Sequence, residues 1–395
     1  MKTNTSLLDH HLAQTTLFPF GLEIVSATGI YMFDKSGKKY MDLISGVGVN
    51  NLGHGNQYVI DAIKLQLDKH MHLMVYGEYL QEAQIKAATL LTSLLASNLD
   101  CCYFVNSGTE ANETALKLAK RVTGRTKILS FIGAYHGNTH GSMSVSSNEQ
   151  KKSPFRPLLP DVHFMRFNHL DDLSMIDNHT ACVIIEPIQG DAGIRIPSTE
   201  YMHALRAKCD ATGTLLIFDE IQCGMGRTGT MFAFEQFHVV PDILTLGKAL
   251  GAGMPVGCVI SARHLMEKFS HNPMLGHIST FAGHPVICAA VAAGLEYFLK
   301  NHIVHDVAEK GKYFYEKLNG HHQVQEIRYR GLFFAIDLKS VESVQRVVEH
   351  CLNKGIVTFW FLSCPASFRI APPLTISEKE IDEACQVILE ALDAL

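Results

Sequence analysis

Short apolar segments that end abruptly in polar residues recur through the middle of the chain. Five of them cover residues 101–105, 127–131, 182–185, 214–218 and 243–246. Apolar segments of this length without alternation are typical of strands that are buried on both faces of a sheet. Helical patterns at 110–122 and 201–212 lie between them. This alternation predicts an α/β fold around a mostly parallel sheet.

The two ends of the chain follow a different pattern. Residues 29–34 and 38–42 flank a turn at Ser36-Gly37 and predict a small hairpin. Beyond residue 290, an apolar segment at 331–338 is surrounded by helical patterns at 291–300, 303–318, 340–354 and 377–395. We therefore expect a large α/β domain at 48–288 and a smaller α+β domain that combines 1–47 with 289–395.

Composition narrows the class of protein. The chain has 395 residues, 18% of them charged, and a formal net charge of −5. Such a chain lacks the basic surface that binds nucleic acid, and no stretch approaches the roughly 18 apolar residues of a membrane span. Ten cysteines without a C-x-x-C pair are typical of reduced thiols in a cytoplasmic protein. The charged fraction lies below the usual value of about 25%, which favours burial of surface between subunits.

Polar side chains follow the predicted strands, at the sheet edge where α/β proteins bind ligands. Ser107, Gly108 and Thr109 lie between a strand and a helix, where backbone N–H groups and hydroxyls form a natural phosphate cradle. The same residues are also typical of ordinary helix capping. Asp219 and Lys248 each follow an apolar strand, where a charged group is costly unless it is paired or used.

The combination of these three features points to one cofactor. Pyridoxal phosphate requires an anion cradle, a carboxylate for its ring nitrogen and a lysine that holds it covalently. A buried lysine also has a lowered pKa and becomes a nucleophilic amine. The combination therefore favours a pyridoxal-phosphate enzyme over a structural salt bridge between domains.

Seven motifs, in order along the chain, resemble those of class III aminotransferases of the acetylornithine/ornithine type. The motifs are NSGTEANE at 106–113, YHG at 135–137, EPIQG at 186–190, DEIQ at 219–222 followed by GRTG at 226–229, PDILTLGK at 241–248, TF at 280–281 with Gly283 and Pro285, and RIAPPL at 369–374. The resemblance runs from about residue 21 to the C-terminus. It implies a fold-type-I pyridoxal-phosphate transferase that works as a homodimer, with active sites at the subunit interface.

The resemblance also implies a role for each matching residue. Lys248 would hold the cofactor and then act as general base and acid, while Asp219 would keep the pyridine nitrogen protonated. Arg369 would bind the substrate carboxylate with its guanidinium fork. The other cofactor contacts would come from Ser107, Gly108 and Thr109 at the phosphate, Gln222 at the ring oxygen, Tyr135 on the ring face, His136 and Glu186 beside the cofactor, and Thr280 of the neighbouring subunit.

Departures from the family pattern concern the substrate. Asn138 stands where many members carry an arginine that binds a second, distal carboxylate of the substrate. A substrate with a distal carboxylate would therefore need another cation in this protein, and Arg195 is one candidate. Asp191 replaces the glutamate that pairs with the substrate-binding arginine in ornithine-type enzymes. Cys223 and His284 replace a usual threonine and a usual asparagine, and nothing in the sequence explains either.

The expected reaction is transfer of an amino group from an ω-amino acid, such as ornithine or N-acetylornithine, to a 2-oxo acid such as 2-oxoglutarate by a ping-pong mechanism. Alternatives are a donor without a distal carboxylate and an aminomutase, which Arg369 disfavours. GMGRTG at 224–229 formally matches the dinucleotide pattern of an NAD-dependent dehydrogenase, but it does not join a strand directly to a helix. His136 and His140 have the spacing of metal ligands, yet adjacent glycines favour a loop, and no metal is expected.

Overall fold

Strands and helices alternate through the middle of the chain, and the computed structural model describes residues 11–395. In this range the strands are β1 (Ile24–Thr28), β2 (Tyr31–Asp34), β3 (Lys39–Asp42), β4 (Cys101–Val105), β5 (Lys127–Phe131), β6 (Val162–Met165), β7 (Thr180–Ile185), β8 (Leu215–Asp219), β9 (Ile243–Gly247), β10 (Gly257–Ser261), β11 (Glu326–Arg330), β12 (Phe333–Asp337), β13 (Ile356–Val357), β14 (Phe359–Trp360) and β15 (Ser367–Ile370). The longer helices are α1 (Gln57–Lys69), α2 (Glu82–Ser93), α3 (Gly108–Thr123), α4 (His140–Val145), α5 (Thr199–Thr212), α6 (Pro285–Lys300), α7 (Val307–Leu318), α8 (Val341–Asn353) and α9 (Glu378–Asp393). Shorter helical turns lie at Ser45–Gly48, Glu149–Lys152, Ser153–Phe155, Leu170–Met175, Ala233–Phe237, Lys248–Gly251, Arg263–Met266 and Glu267–Ser270.

A seven-stranded sheet forms the centre of the protein, in the order β4-β10-β9-β8-β7-β5-β6. Neighbours from β9 through β6 pair in parallel, while β10 runs antiparallel to both β4 and β9. All five strands expected from the apolar segments are present, so the mostly parallel α/β sheet is confirmed.

The sheet contains two strands that the apolar segments do not predict. β10 begins, rather than ends, at the polar edge of the sheet because it is antiparallel, so a polar cluster after the strand cannot reveal it. β6 is the outermost strand, and only Met165 of its four residues is buried. Its apolar signal is therefore weak.

Helix α3 shows how local sequence sets these boundaries. Ser107 caps its start by accepting a hydrogen bond from the N–H of Glu110 at 3.3 Å, and Gly124 ends it in the left-handed conformation. Ala115 and Leu118 lie on its buried face, and the helix packs against β9 and β10. Its N-terminus therefore lies at the sheet edge where β4 ends.

The two ends of the chain meet in a pair of small sheets. β1, β2 and β3 form an antiparallel meander, and β3 pairs in parallel with β13 through Met41 and Ile356. β11, β12, β15 and β14 form a second antiparallel sheet. The predicted hairpin is present, with β1 as an additional strand. The division into domains at 1–47, 48–288 and 289–395 stays a prediction, and its residues 1–10 lie outside the described residues.

The C-terminal helices differ from the predicted ones mainly at their starts. α6 begins six residues before the predicted start because His284 caps it and Pro285 occupies its first position. α7 begins at 307 rather than 303, and both ends of α8 and α9 lie within two residues of the prediction. None of the helices within residues 11–395 is long and apolar enough to cross a membrane.

Candidate active site

One edge of the central sheet brings the predicted polar residues together. β4, β5, β7, β8 and β9 all end at this edge, because the parallel strands share a direction and the antiparallel β10 lies between β4 and β9. Asp219 is the last residue of β8, Glu186 directly follows β7, and Lys248 directly follows β9. The candidate site therefore lies where open α/β sheets bind their ligands.

Asp219 is buried, and three donors hold its carboxylate. Oδ2 lies 2.7 Å from Nδ1 of His136 and accepts a hydrogen bond from the amide of Asn112 at 2.7 Å. Oδ1 accepts a hydrogen bond from the N–H of Ile221 at 3.0 Å. Thr245 donates to the amide oxygen of Asn112 at 2.9 Å, which sets the orientation of that amide. The carboxylate is thus held in place to pair with a cation such as a protonated ring nitrogen.

His136 links the loop after β5 to Asp219. Its N–H donates to Oγ of Ser146 at 2.9 Å, and its carbonyl accepts from the amide of Asn112 at 2.7 Å. We assign the ring proton to Nδ1, because that nitrogen faces a carboxylate. Nε2 is then buried with no partner among residues 11–395. A ligand that hydrogen-bonds to Nε2 is one explanation for a buried polar atom without a partner in the protein.

Lys248 has a left-handed backbone conformation, with a φ angle of 44°. That conformation costs roughly 1–2 kcal/mol for a residue other than glycine, and such strain is concentrated at functional sites. Burial lowers the pKa of the Lys248 amine, Asp219 and Glu186 oppose this shift, and Arg369 adds to it. A lower pKa leaves more of the amine neutral, which is the form that attacks a carbonyl group.

Helix α3 presents its first N–H groups to the same edge. The N–H groups of Gly108 and Thr109 precede the intrahelical hydrogen bonds, and the helix dipole favours an anion beside them. A Cβ atom at Gly108 would lie 2.9 Å from Cδ1 of Ile221, and one at Gly257 would overlap the carbonyl oxygen of Ser107. Both glycines are therefore required for the close approach of this loop to its neighbours.

The hydroxyl of Thr109 takes part in a hydrogen-bonded cluster inside the protein. It lies 2.7 Å from Oγ1 of Thr139 and also hydrogen-bonds to Ser142. Glu113 accepts a hydrogen bond from the N–H of Ser142 at 2.9 Å. Because this side chain is already engaged, the backbone N–H of Thr109 is the group that remains for a phosphate.

Glu186 connects two loops of the site. Its Oε1 accepts a hydrogen bond from the N–H of Tyr135 at 3.1 Å, and its Oε2 accepts one from the N–H of Gly190 at 2.9 Å. A Cβ atom at Gly190 would overlap the side-chain oxygen of Gln222. Glu186 therefore holds the backbone of Tyr135 and that of Gly190, which lies against Gln222. Tyr135 and Gln222 are both predicted to contact the cofactor ring.

The carboxyl of Glu186 gives a prediction on stability. Burial raises its pKa from about 4.5 to about 7, while His136 and the two N–H donors lower it in part. The folded protein therefore keeps a proton that the unfolded chain releases between about pH 4.5 and about pH 7, so stability from this group is lost as the pH rises through that range. We expect the thermal midpoint of the wild type to fall as the pH rises from about 5 to about 8. Over the same range the thermal midpoint of Glu186→Gln is expected to fall by a few degrees less, because the glutamine side chain has no proton to release.

Differential scanning calorimetry at several pH values measures this difference. Glu316→Gln, which changes an exposed glutamate on α7, serves as the control. Identical pH dependence in Glu186→Gln and the wild type would contradict the assignment.

Arg369 extends from β15 toward the same edge, with 6% of its surface exposed. Its Nη2 lies 3.7 Å from Oδ1 of Asp191, and its Cζ lies 4.4 Å from the centre of the Phe361 ring. Nε is buried with no partner in the described part of the chain. Burial lowers the pKa of Arg369, and Asp191 opposes that shift in part. Because a buried guanidinium with unused donors is costly, a carboxylate is the ligand that this fork fits.

Asp191 has further partners that the motifs do not reveal. Its Oδ2 accepts a hydrogen bond from the hydroxyl of Ser363 at 2.6 Å and lies 3.6 Å from Nζ of Lys151. Asn112, Thr139 and Ser142 are likewise absent from the predicted site residues, although Asn112 belongs to the motif at 106–113. The signal for Asn112 is its position in that motif, whereas the other contacts join distant segments and leave no local pattern.

Three residues proposed from the sequence are exposed and lie outside these networks. Within residues 11–395, the side chains of Asn138, Arg195 and Thr280 form no hydrogen bond to Asp219, Lys248 or Arg369. Ser279, directly before Thr280, accepts a hydrogen bond from the amide of Asn106 at 3.0 Å. The contribution of Thr280 to a second subunit stays a prediction.

The dinucleotide alternative does not fit the structure. Residues 224–229 form turns and not a strand-to-helix junction. Arg227 in this segment is fully buried and donates to the carbonyls of Leu332 at 2.9 Å and Pro372 at 2.6 Å. The segment thus connects the large sheet to the C-terminal part of the chain.

The arrangement fits pyridoxal phosphate on each of its three requirements. The N-terminus of α3 offers N–H groups to a phosphate, Asp219 offers a fixed carboxylate, and Lys248 offers an amine of lowered pKa. The buried and unpartnered Nε2 of His136 lies beside Asp219, where the cofactor ring is expected.

Comparisons with known proteins agree with this fit. The sequence profile of the family described as aminotransferase class-III matches residues 13–392. The LysW-aminoadipate semialdehyde/glutamate semialdehyde transaminase of Sulfolobus acidocaldarius is 38% identical over 377 residues, which are 94% of this chain and 95% of that protein. The acetylornithine aminotransferase of Methanopyrus kandleri is 37% identical over 387 residues, 98% of this chain and 97% of that protein.

Comparison with solved structures supports the same fold. The ornithine aminotransferase of Toxoplasma gondii superposes with a TM-score of 0.91 and 26% identity, covering 99% of this chain and 93% of that chain. The fold-type-I architecture and the dependence on pyridoxal phosphate, both expected from the motifs, are thereby confirmed. This chain is a pyridoxal-phosphate-dependent aminotransferase and belongs to the aminotransferase class-III family.

Proposed function

We propose that this enzyme transfers an amino group from an ω-amino acid, such as ornithine or N-acetylornithine, to a 2-oxo acid such as 2-oxoglutarate in a ping-pong reaction. The observation that carries the proposal is the buried guanidinium of Arg369, whose Nε has no partner among residues 11–395. Amino acids and 2-oxo acids both present the carboxylate that this fork fits. The acetylornithine aminotransferase of Methanopyrus kandleri and the ornithine aminotransferase of Toxoplasma gondii support a donor of this kind.

Asp191 supports the use of two different substrates at one site. In the absence of a carboxylate ligand, its Oδ1 lies 3.7 Å from Nη2 of Arg369 and partly neutralises that cation. A donor that reacts at its ω-amino group holds its own carboxylate far from the reacting carbon, so Arg369 stays with Asp191. A 2-oxo acid has its carboxylate next to the reacting carbon, and this carboxylate replaces Asp191 as the partner of Arg369.

Different residues of the chain have different roles in the proposed reaction. When bound, pyridoxal phosphate supplies an electron-accepting ring that stabilises negative charge on the substrate carbon. Asp219 keeps a proton on the ring nitrogen, and the Lys248 amine removes and returns a proton at the substrate carbon. The N–H groups of Gly108 and Thr109 hold the phosphate, and the Tyr135 ring excludes water from one face.

We further propose a homodimer with active sites at the interface. Met274, Leu275, Ile278 and Phe281, which surround Thr280 in sequence, are all exposed apolar residues, as expected of a surface that a second subunit covers. Light scattering on the purified protein measures the state, and an active monomer would contradict the proposal. The cytoplasmic location expected from the cysteines stays a prediction.

A donor panel in single half-reactions tests the proposed reaction. The purified holoenzyme is mixed with each candidate amine in the absence of a 2-oxo acid, and loss of the visible absorbance of the lysine-bound cofactor is followed. Ornithine or N-acetylornithine is expected to react faster than α-amino acids without an ω-amino group. If only α-amino acids such as glutamate react, the ω-donor proposal is wrong.

Arg369→Ala tests the carboxylate site. We expect kcat/KM for 2-oxoglutarate to fall about 10²–10³-fold, because a desolvated charge-assisted pair is lost, whereas the affinity for pyridoxal phosphate changes by less than about threefold. Steady-state kinetics and a cofactor titration of the same preparation measure the two effects. Equal losses of both would remove the role assigned to Arg369.

A further inference from the structure

Lys151 is a cation at the substrate side of the site that no motif reveals. It belongs to the helical turn at Glu149–Lys152, and its Nζ lies 5.6 Å from the centre of the Tyr135 ring. The same Nζ lies 3.6 Å from Oδ2 of Asp191. By contrast, Asn138 is neutral, and Arg195 is exposed and pairs with no carboxylate of the described chain. Lys151 therefore supplies a positive charge beside Tyr135 and Asp191, whereas the side chain at position 138 carries none.

Lys151 and Arg369 approach the two oxygens of one carboxylate. Arg369 lies 3.7 Å from Oδ1 of Asp191, and Lys151 lies 3.6 Å from Oδ2. Both distances are longer than a hydrogen bond, so each cation retains donors for a ligand. Because both cations lie beside the same carboxylate group, they are close enough for a short dicarboxylate to bridge them.

Asp191 can release both cations without losing its own position. The hydroxyl of Ser363 donates to its Oδ2 at 2.6 Å, a shorter contact than either cation makes. The side chain of Lys151 is 40% exposed, so its loose pair with Asp191 contributes little to the stability of the protein. When a substrate carboxylate becomes the partner of Lys151 instead of Asp191, the protein therefore loses little stability.

We propose that Lys151 binds the distal carboxylate of a dicarboxylic substrate while Arg369 binds the carboxylate next to the reacting carbon. Lys151 is then the residue that makes the enzyme prefer glutamate and 2-oxoglutarate over their monocarboxylic counterparts. Its flexible stem carries a compact charge with three donors, which suits a carboxylate that approaches from solvent. The inference rests on the proposed function and specifies its second substrate class.

Lys151→Met removes the charge and keeps most of the stem. In the holoenzyme we expect kcat/KM for 2-oxoglutarate to fall about 10–100-fold, the equivalent of one charged hydrogen bond, and kcat/KM for pyruvate to change by less than about twofold. Lys151→Arg is expected to restore most of the loss. In equilibrium titrations, the dissociation constant of glutarate is expected to rise about tenfold in Lys151→Met while that of butyrate stays unchanged.

Lys317→Met is a matched control. The side chain of Lys317 is also 40% exposed, pairs with Asp382 at 2.7 Å and lies 4.8 Å from the centre of the Tyr313 ring, all on α7 and α9. It is expected to leave both acceptors unaffected.

Several outcomes would overturn the inference. If Lys151→Met lowers kcat/KM equally for 2-oxoglutarate and pyruvate, the role of Lys151 is structural. A loss selective for 2-oxoglutarate in Arg195→Met, with Lys151→Met unchanged, would assign the site to Arg195. Failure of every ω-amino donor would refute the proposed donor, whereas the glutamate and 2-oxoglutarate comparison would still decide the role of Lys151.

Discussion

Lys248→Ala is expected to lower kcat by at least about 10⁴-fold, the upper end of what one general acid–base group contributes. The variant loses the amine that holds the cofactor and the group that moves the proton at the substrate carbon. The lowered pKa of Lys248, caused mainly by burial, suits both tasks because it leaves more of the amine neutral. Single-turnover kinetics and the visible spectrum of the purified protein measure the two losses separately.

Partial recovery with a small added amine separates chemistry from misfolding. If methylamine restores part of the proton transfer in Lys248→Ala, the fold of the variant is intact. Lys127→Ala, which removes a partly buried lysine paired with Asp177, serves as a control for the loss of a lysine elsewhere on the sheet. Retention of more than about a tenth of the wild-type kcat in Lys248→Ala would refute the role of this amine.

Asp219→Asn is expected to lower kcat by about 10²–10³-fold while the folded protein persists. Asparagine keeps the shape of the side chain but removes the buried charge, and loss of one partner of a buried charged pair costs about 3–5 kcal/mol. The amide also alters the contact with Nδ1 of His136, whose 2.7 Å separation from Oδ2 requires an acceptor. The rate of each half-reaction with a good donor measures the effect.

Asp242→Asn is a suitable comparison for Asp219→Asn. Asp242 also accepts a backbone hydrogen bond at the sheet, from the N–H of Leu216 at 2.7 Å, and pairs with Arg206 at 2.8 Å, but it precedes β9 at the opposite edge. A decrease in kcat of similar size in both variants would show that the effect of Asp219 is structural.

Residues at the ends of parallel strands could be predicted from the sequence. Asp219 and Lys248 stand out because each directly follows an apolar strand, and parallel strands place such residues at one edge. The roles assigned to them from the family resemblance stay predictions, which the Lys248 and Asp219 variants would test. The family, the fold and the cofactor could also be predicted from the sequence, because the family motifs lie at these strand ends and follow one another in order along the chain.

Contacts between distant segments could not be predicted in this way. The hydroxyl cluster of Thr109, Thr139 and Ser142 and the contact of Asp191 with Lys151 join segments that no periodicity relates. Asn138 indicates that a cation is missing at its position, but the sequence alone does not show that Lys151, on a later turn, lies near Asp191. The sequence analysis did not predict β10. This strand is antiparallel to β9 and begins at the polar edge of the sheet, so no polar cluster follows it.

The parallel pairing of β3 with β13 sets an order of events for a newly made chain. Nζ of Lys38 donates to the carbonyl of Asn353, a residue 315 positions later, so β3 meets β13 only after most of the chain has left the ribosome. Closing so long a loop is slow, and an unpaired strand edge invites association with other chains in the meantime. The pairing of β3 with β13 therefore forms late in synthesis, and a chain halted before residue 356 leaves that edge of β3 open.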